Sequence, residues 1–209
     1  VRSRRQRQMC IRDRIGKKPK AIVPVALYGM PYDCKRIMEI ADRYDIPVVE
    51  DAAEGFGSKF DGRILGTFGK FGVLSFNGNK MITTSGGGAL VCQSVEDKNT
   101  VMWYATQARD AYPYYQHTAI GYNYRMSNIC AGIGRGQMTV VQEHIDHHKH
   151  VQALYEELLK EVRGVHIHRQ PADSCYDSNY WLCTATLDAN VRVCLLYTSD
   201  AADDSLRVD

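Results

Sequence analysis

Two short apolar runs constrain this chain more than any other feature. Ala21–Leu27 reads AIVPVAL, and Ile46 opens the run Ile-Pro-Val-Val-Glu-Asp. Each has the length of a buried strand, although Pro24 sits badly in the first. Between them, Asp33 stands where a helix N-cap belongs, and Ile37, Ile40 and Ala41 recur at helical spacing up to about Tyr44, where Asp45 closes the helix. Strand, helix and strand in that order predict a parallel pair joined by a right-handed crossover. Ligands of such sheets gather at the carboxyl ends of the strands. Asp51 and Glu54 lie at that end of the second strand.

The downstream pattern extends the α/β reading. Glycine-rich turns at residues 55–69 precede predicted strands over Phe71–Phe76 and Gly88–Cys92. A helix is predicted over Val95–Ala108, and a tyrosine-rich loop over Ala111–Tyr124. Ser127 begins a long helical stretch to about Val162 with a break near Gln142. Short strands are predicted around Val165–Arg169 and Trp181–Leu187, so a smaller second domain begins near residue 163. The two ends break this order abruptly. Residues 1–14 carry six arginines and residues 195–209 carry four aspartates, and both read as non-native ends outside the fold.

Charge and cysteine usage exclude some functions. The ends hold seven basic and five acidic residues, and the chain totals are 26 and 24, so 19 of each remain in the middle. A balanced body gives no electrostatic footprint for nucleic acid. No apolar run is long enough for a transmembrane helix. The seven cysteines form no CxxC pair, which reads as free thiols in a reducing cytoplasm.

Candidate chemistry sits in three spacings. Asp51-Ala-Ala-Glu54 ends one strand, Ser75-Phe-Asn-Gly-Asn-Lys80 ends the next, and Gly86-Gly87-Gly88 follows. A carboxylate, a hydroxyl and an amine on successive loops of one sheet edge suit a small anionic, aromatic ligand. Taken singly, each has a bland alternative: a capping aspartate, a solvated lysine, a tight glycine turn. Two other patterns weigh less. Gly132-Ile-Gly134-Arg-Gly136 is GxGxG with no strand before it, so close helix packing explains it better than a dinucleotide. His144, His147, His148 and His150 have ligand-like spacings but lack a cysteine partner, and a solvated helix face outweighs a metal site.

The segment VVEDAAEGFGSKFDGRILGTFGKFGVLSFNGNKMITTSGGGALV resembles the core signature of the DegT/DnrJ/EryC1/StrS family of pyridoxal 5'-phosphate (PLP) sugar aminotransferases. GYNYRMSNICAGIGRGQM at 121–138 resembles a second signature of that family, and the likeness covers about residues 20–190. It implies an α/β, aspartate-aminotransferase-like fold (PLP-dependent transferase fold type I). Residues 15–162 would be a partial large domain and residues 163–194 the start of a small C-terminal domain. The missing N-terminal part would carry the helix N-terminus that binds the cofactor phosphate, and the fragment alone would bind PLP poorly.

The resemblance also implies roles. Lys80 would bond covalently to the cofactor aldehyde and then move a proton between cofactor and substrate carbons. Asp51 would face the pyridine nitrogen and keep it protonated. Glu54 would lie near the ring hydroxyl, Ala53 against the ring face, and the Ser75 hydroxyl on the phosphate. Asn123 would reach the phosphate of a neighbouring subunit's cofactor, making a homodimer with a shared site. Arg125 would bind the amino donor's carboxylate or form a buried ion pair. Tyr28 would touch substrate or merely pack. The implied partners are L-glutamate and a 4-keto-6-deoxy nucleotide sugar, a UDP-linked N-acetyl sugar of the bacillosamine type above others. Other keto sugars of the 3-keto or perosamine type, and a non-catalytic regulatory relative, are the alternatives. Sugar 3-dehydratases of this fold carry histidine where this chain has Lys80.

Overall fold

The structure, a computed structural model, describes residues 18–189. The expected non-native ends, residues 1–14 and 195–209, lie outside the described residues.

The central sheet holds β1 (Val49–Asp51), β4 (Phe71–Ser75) and β5 (Gly88–Cys92), in the order β1-β4-β5. Strands β1 and β4 run parallel with Asp51 beside Val73. Strands β4 and β5 run antiparallel with Ser75 beside Gly88. Gly72 is required in β4, because a Cβ there would come within 1.9 Å of the Gly66 carbonyl oxygen.

Segment 21–27 lies parallel along the other side of β1, but not as the buried strand its composition predicts. It pairs only through isolated bridges, Ile22 with Val48 and Val25 with Asp51. Pro24 has no N–H to give and contributes only its carbonyl, which accepts from Asp51 N–H at 2.9 Å. Val23, Val25 and Leu27 are about half exposed. The segment ends in a 3-10 turn, Leu27–Gly29.

Helix α1 (Cys34–Tyr44) forms as its sequence predicts. The Asp33 side chain accepts from Arg36 N–H at 2.9 Å, and Asp45 ends the helix at φ 49°. Ala26, Cys34, Ala52, Phe60 and Leu65 form the core beneath it.

A small antiparallel sheet in the order β3-β2-β7 joins β2 (Lys59–Phe60), β3 (Arg63–Ile64) and β7 (Tyr176–Asp177). It ties the glycine-rich turns to the late part of the chain. Helix α2 (Val95–Ala105) is three residues shorter than predicted. The long helical stretch divides into α3 (Asn128–Met138), capped by Ser127, and α4 (Val141–Leu158). Strands β6 (Val165–Ile167) and β8 (Ala185–Leu187) pair antiparallel. The predicted strand at 181–187 is therefore only its last three residues. Trp181 belongs to the turn before it, where its backbone N–H is taken by a side chain, Asn179 Oδ1, instead of a strand partner. No helix among the described residues is long and apolar enough to cross a membrane.

Candidate active site

The site lies at the carboxyl edge of the parallel pair. Asp51 ends β1 and Ser75 ends β4, two positions beyond its register with Asp51. Ala52 N–H donates to Val73 O at 3.0 Å, so the chain leaving β1 stays against β4. Asp51 Oδ1 accepts from Ala53 N–H at 3.2 Å. Ser75 Oγ accepts from Asn77 N–H at 3.4 Å at the start of the loop leading to Lys80.

Lys80 and Glu54 meet directly. Lys80 Nζ lies 3.4 Å from Glu54 Oε1, with the two side chains 14% and 21% exposed. Glu54 Oε2 accepts from Tyr28 N–H at 2.7 Å, so both carboxylate oxygens are engaged. Tyr28 holds φ 59° and ψ 19°, a left-handed conformation that costs a non-glycine residue free energy. That strained turn aims its N–H at Glu54 while the Tyr28 side chain is exposed. On its other side, Lys80 Nζ stands 4.3 Å over the centre of the Trp181 ring.

The loop carrying Lys80 is pinned along its length. Trp181 Nε1–H donates to Asn79 O at 2.7 Å. Gln137 Oε1 of α3 accepts from Thr83 N–H at 3.4 Å. A His144 ring nitrogen of α4 hydrogen-bonds Met81 O at 3.1 Å, which gives this histidine a structural partner. Its neighbour His148 has a pKa below the ordinary imidazole value, through burial first and the adjacent His147 second. The glycine triplet closes the loop: Gly87 holds φ 99°, and a Cβ on Gly88 would come within 2.3 Å of Leu74 O. The triplet is thus a tight return into β5 beside β4.

Asn123 and Arg125 stand apart from this cluster. Asn123 is exposed and bridges Thr106, while Arg125 is exposed and makes no ion pair among the described residues. Among the described residues, Arg125 thus makes no buried ion pair. Met126, next to Arg125, packs beside the glycine triplet: a Cβ on Gly87 would meet its side chain at 2.9 Å.

Sequence reasoning missed Trp181 and Asn179. Both contact residues more than 100 positions away, Asn79 and Glu54, and no local spacing encodes such pairs. The run Ser178-Asn-Tyr-Trp was the available signal, since two polar and two aromatic residues fit an alternating strand poorly.

Asp51, Ser75, Lys80 and Glu54 thus supply a carboxylate, a hydroxyl, an amine and a second carboxylate around one edge. The DegT/DnrJ/EryC1/StrS aminotransferase family model matches residues 7–198. The chain belongs to that family. It is 43% identical over 175 residues to EpsN of Bacillus subtilis (strain 168), named as a pyridoxal phosphate-dependent aminotransferase, covering 84% of this chain and 45% of EpsN. It is 37% identical over 172 residues to a GDP-perosamine synthase of Escherichia coli O157:H7, covering 82% and 46%. The aminotransferase TlmJ from Streptoalloteichus hindustanus superposes with a TM-score of 0.80 at 28% identity, over 87% of this chain and 50% of TlmJ. The chain spans about half the length of these relatives. The fold is that of the PLP-dependent type I sugar aminotransferases, as the resemblance implied. Family members use PLP, and the donor set here fits that cofactor: an amine for an aldehyde, a carboxylate for a ring nitrogen and a hydroxyl for a phosphate.

Proposed function

We propose that the complete protein is a PLP-dependent aminotransferase that moves an amino group from L-glutamate to a 4-keto-6-deoxy nucleotide sugar. The observation that carries this reading is Lys80, withdrawn from water between Glu54 and Trp181 at the edge where Asp51 and Ser75 end neighbouring strands. Residues 15–162 then form part of the large domain and residues 163–194 open the small one.

Each residue has a task that its chemistry allows. When bound, the cofactor supplies an electron sink. The Lys80 amine would be the nucleophile toward the cofactor aldehyde, and Lys80 Nζ would move a proton between the reacting carbons. The Asp51 carboxylate would keep the pyridine nitrogen protonated. The Ser75 hydroxyl binds phosphate. Glu54 receives the amine when it is free, and Ala53 leaves room for a flat ring. Asn123, exposed and clear of Lys80, serves the site of a second copy. Arg125, equally exposed, is available to a donor carboxylate, and Tyr28 lies over the same edge for substrate contact.

The sugar is read as a UDP-linked N-acetyl sugar destined for surface glycans or glycoproteins, from the likeness of SFNGNKMITTSGGGAL. Similarity to the GDP-perosamine synthase supports a second reading, a GDP-linked 4-keto sugar. Both are tested by offering UDP-, GDP- and dTDP-linked keto sugars with glutamate to the complete protein and measuring 2-oxoglutarate. Turnover best with the UDP sugar supports the first reading, and turnover best with the GDP sugar supports the second. No Lys80-dependent turnover with any of them overturns both.

A further inference from the structure

One fully buried residue near the end of the described chain holds two loops from its middle. Asn179 Nδ2–H donates to the carbonyl oxygens of Glu54 and Phe56, at 2.9 Å each. Its Oδ1 accepts from Trp181 N–H at 2.8 Å. Its own N–H donates to Ser58 Oγ at 2.9 Å, and Ser58 donates onward to Gly29 O at 2.7 Å. Both amide hydrogens and the amide oxygen are engaged, so no other side chain of this size satisfies the same set. The fit has no slack, since a Cβ on Gly29 would come within 1.9 Å of Asn179 Oδ1.

These bonds converge on the Lys80 amine. Through the Glu54 carbonyl, Asn179 fixes the residue whose carboxylate lies 3.4 Å from Lys80 Nζ. Through the Trp181 N–H, it fixes the indole that lies 4.3 Å under the same amine. Trp181 is only 7% exposed, and its ring N–H also grips Asn79, the residue before Lys80. A lysine head on a four-carbon stem otherwise samples many rotamers. Two rigid walls, one anionic and one aromatic, restrict it to one place, and a nucleophile gains rate from being held in place.

We propose that Asn179 is a positioning residue for Lys80, acting through the Glu54 carboxylate and the Trp181 ring. Its bearing on turnover rests on the reading of Lys80 given above, while the placement itself concerns only this chain's own atoms.

The test uses the cofactor-free complete protein with Trp103, and any tryptophan outside this chain, replaced by Phe, so that Trp181 is the only emitting tryptophan. Trp181 emission is followed against rising pH, and Lys80→Met identifies the part of the transition caused by the amine. In parallel, an amine-directed reagent is used to label Lys80 and the rate is read by mass spectrometry. Asn179→Ala is expected to remove the Lys80-dependent emission change and to raise the labelling rate about fivefold, the scale of one lost cation–π contact. Trp181→Phe keeps a ring but loses the bond to Asn79, and its labelling rate should rise by less. If Asn179→Ala does not fold, Trp181→Phe decides. Unchanged labelling in a folded variant, or no Lys80-dependent emission change in the parent, overturns the proposal. If the parent instead shows both signatures but takes up no PLP, the functional reading fails and the positioning role stands.

Discussion

Lys80 Nζ and Glu54 Oε1 lie 3.4 Å apart, and neither side chain is more than about a fifth exposed. An ion pair in that setting is screened little by water, so separating it leaves an expensive lone charge.

Lys80→Arg separates the charge of this lysine from its chemistry. Arginine keeps the positive charge beside Glu54 but cannot form the covalent bond to an aldehyde or carry a proton, because it does not deprotonate. The complete protein is expected to keep its melting temperature within a few degrees and to lose turnover by about 10²–10⁴-fold or more. Differential scanning calorimetry and the rate of 2-oxoglutarate release check the two halves separately.

Glu50, one residue before Asp51, carries the most densely bonded carboxylate in the structure. It is 1% exposed and accepts from Tyr32 Oη–H at 2.8 Å, Gly66 N–H at 2.8 Å, Phe68 N–H at 2.5 Å and Gly69 N–H at 2.7 Å. Glu50→Ala strands four donors, those of Gly66 and Gly69 buried and those of Tyr32 and Phe68 partly buried, each costing up to about 1–3 kcal/mol less any repair by water. A loss of about 3–5 kcal/mol is expected, the low end of that sum once water replaces some of the lost bonds. Glu50→Gln places an amide N–H against backbone N–H groups and should lose a smaller amount. Urea denaturation midpoints should rank wild type, Gln, then Ala.

Stability should fall at alkaline pH through two acids, Cys34, which is buried, and Tyr32, which is partly buried. Burial pushes the Cys34 thiol from 9.0 up to about 12, against an opposing hydrogen bond with the Tyr32 side chain and with a smaller push from the Glu50 charge. Burial and the Glu50 contact raise Tyr32 in the same direction. Below about pH 9 both groups are protonated, folded or unfolded, and their contribution is fully present. Between about pH 9 and pH 12 the unfolded thiol ionises while the folded one does not, so stability falls as pH rises. Cys34→Ser is expected to flatten the thiol's part of this slope, measured as urea midpoints from pH 8 to pH 11.

A shared site predicts subunit complementation. Asn123→Ala and Lys80→Ala should each be nearly inactive as homodimers. Mixed at equal amounts, random pairing restores one intact site in half of the dimers, so about a quarter of wild-type activity should return. No recovery after confirmed subunit exchange would place Asn123 and Lys80 in the same subunit's site, or outside it.

Much of the sheet was legible because its signals are local. Asp33 caps α1, Asp45 ends it, and apolar runs mark β1, β4 and β5, each within a few residues. Ala21–Leu27 misled for the opposite reason. Its apolar composition looked buried, whereas pairing depends on N–H groups that Pro24 lacks. Of the site, Asp51, Glu54, Ser75 and Lys80 could be read from strand ends. Asn179 and Trp181 could not, since nothing near residue 180 announces a partner near residue 54 or 80.

The sequence by itself determined which chemical groups stand at the carboxyl edge: strand periodicity and turn residues place Asp51, Ser75 and Lys80 there regardless of the rest. The tertiary structure alone decided how the Lys80 amine is held, between Glu54 and Trp181 under the hold of Asn179. Hydrogen bonds between residues 102 to 125 apart form only after the chain has closed on itself, and the orientation they impose is a property of the packed state.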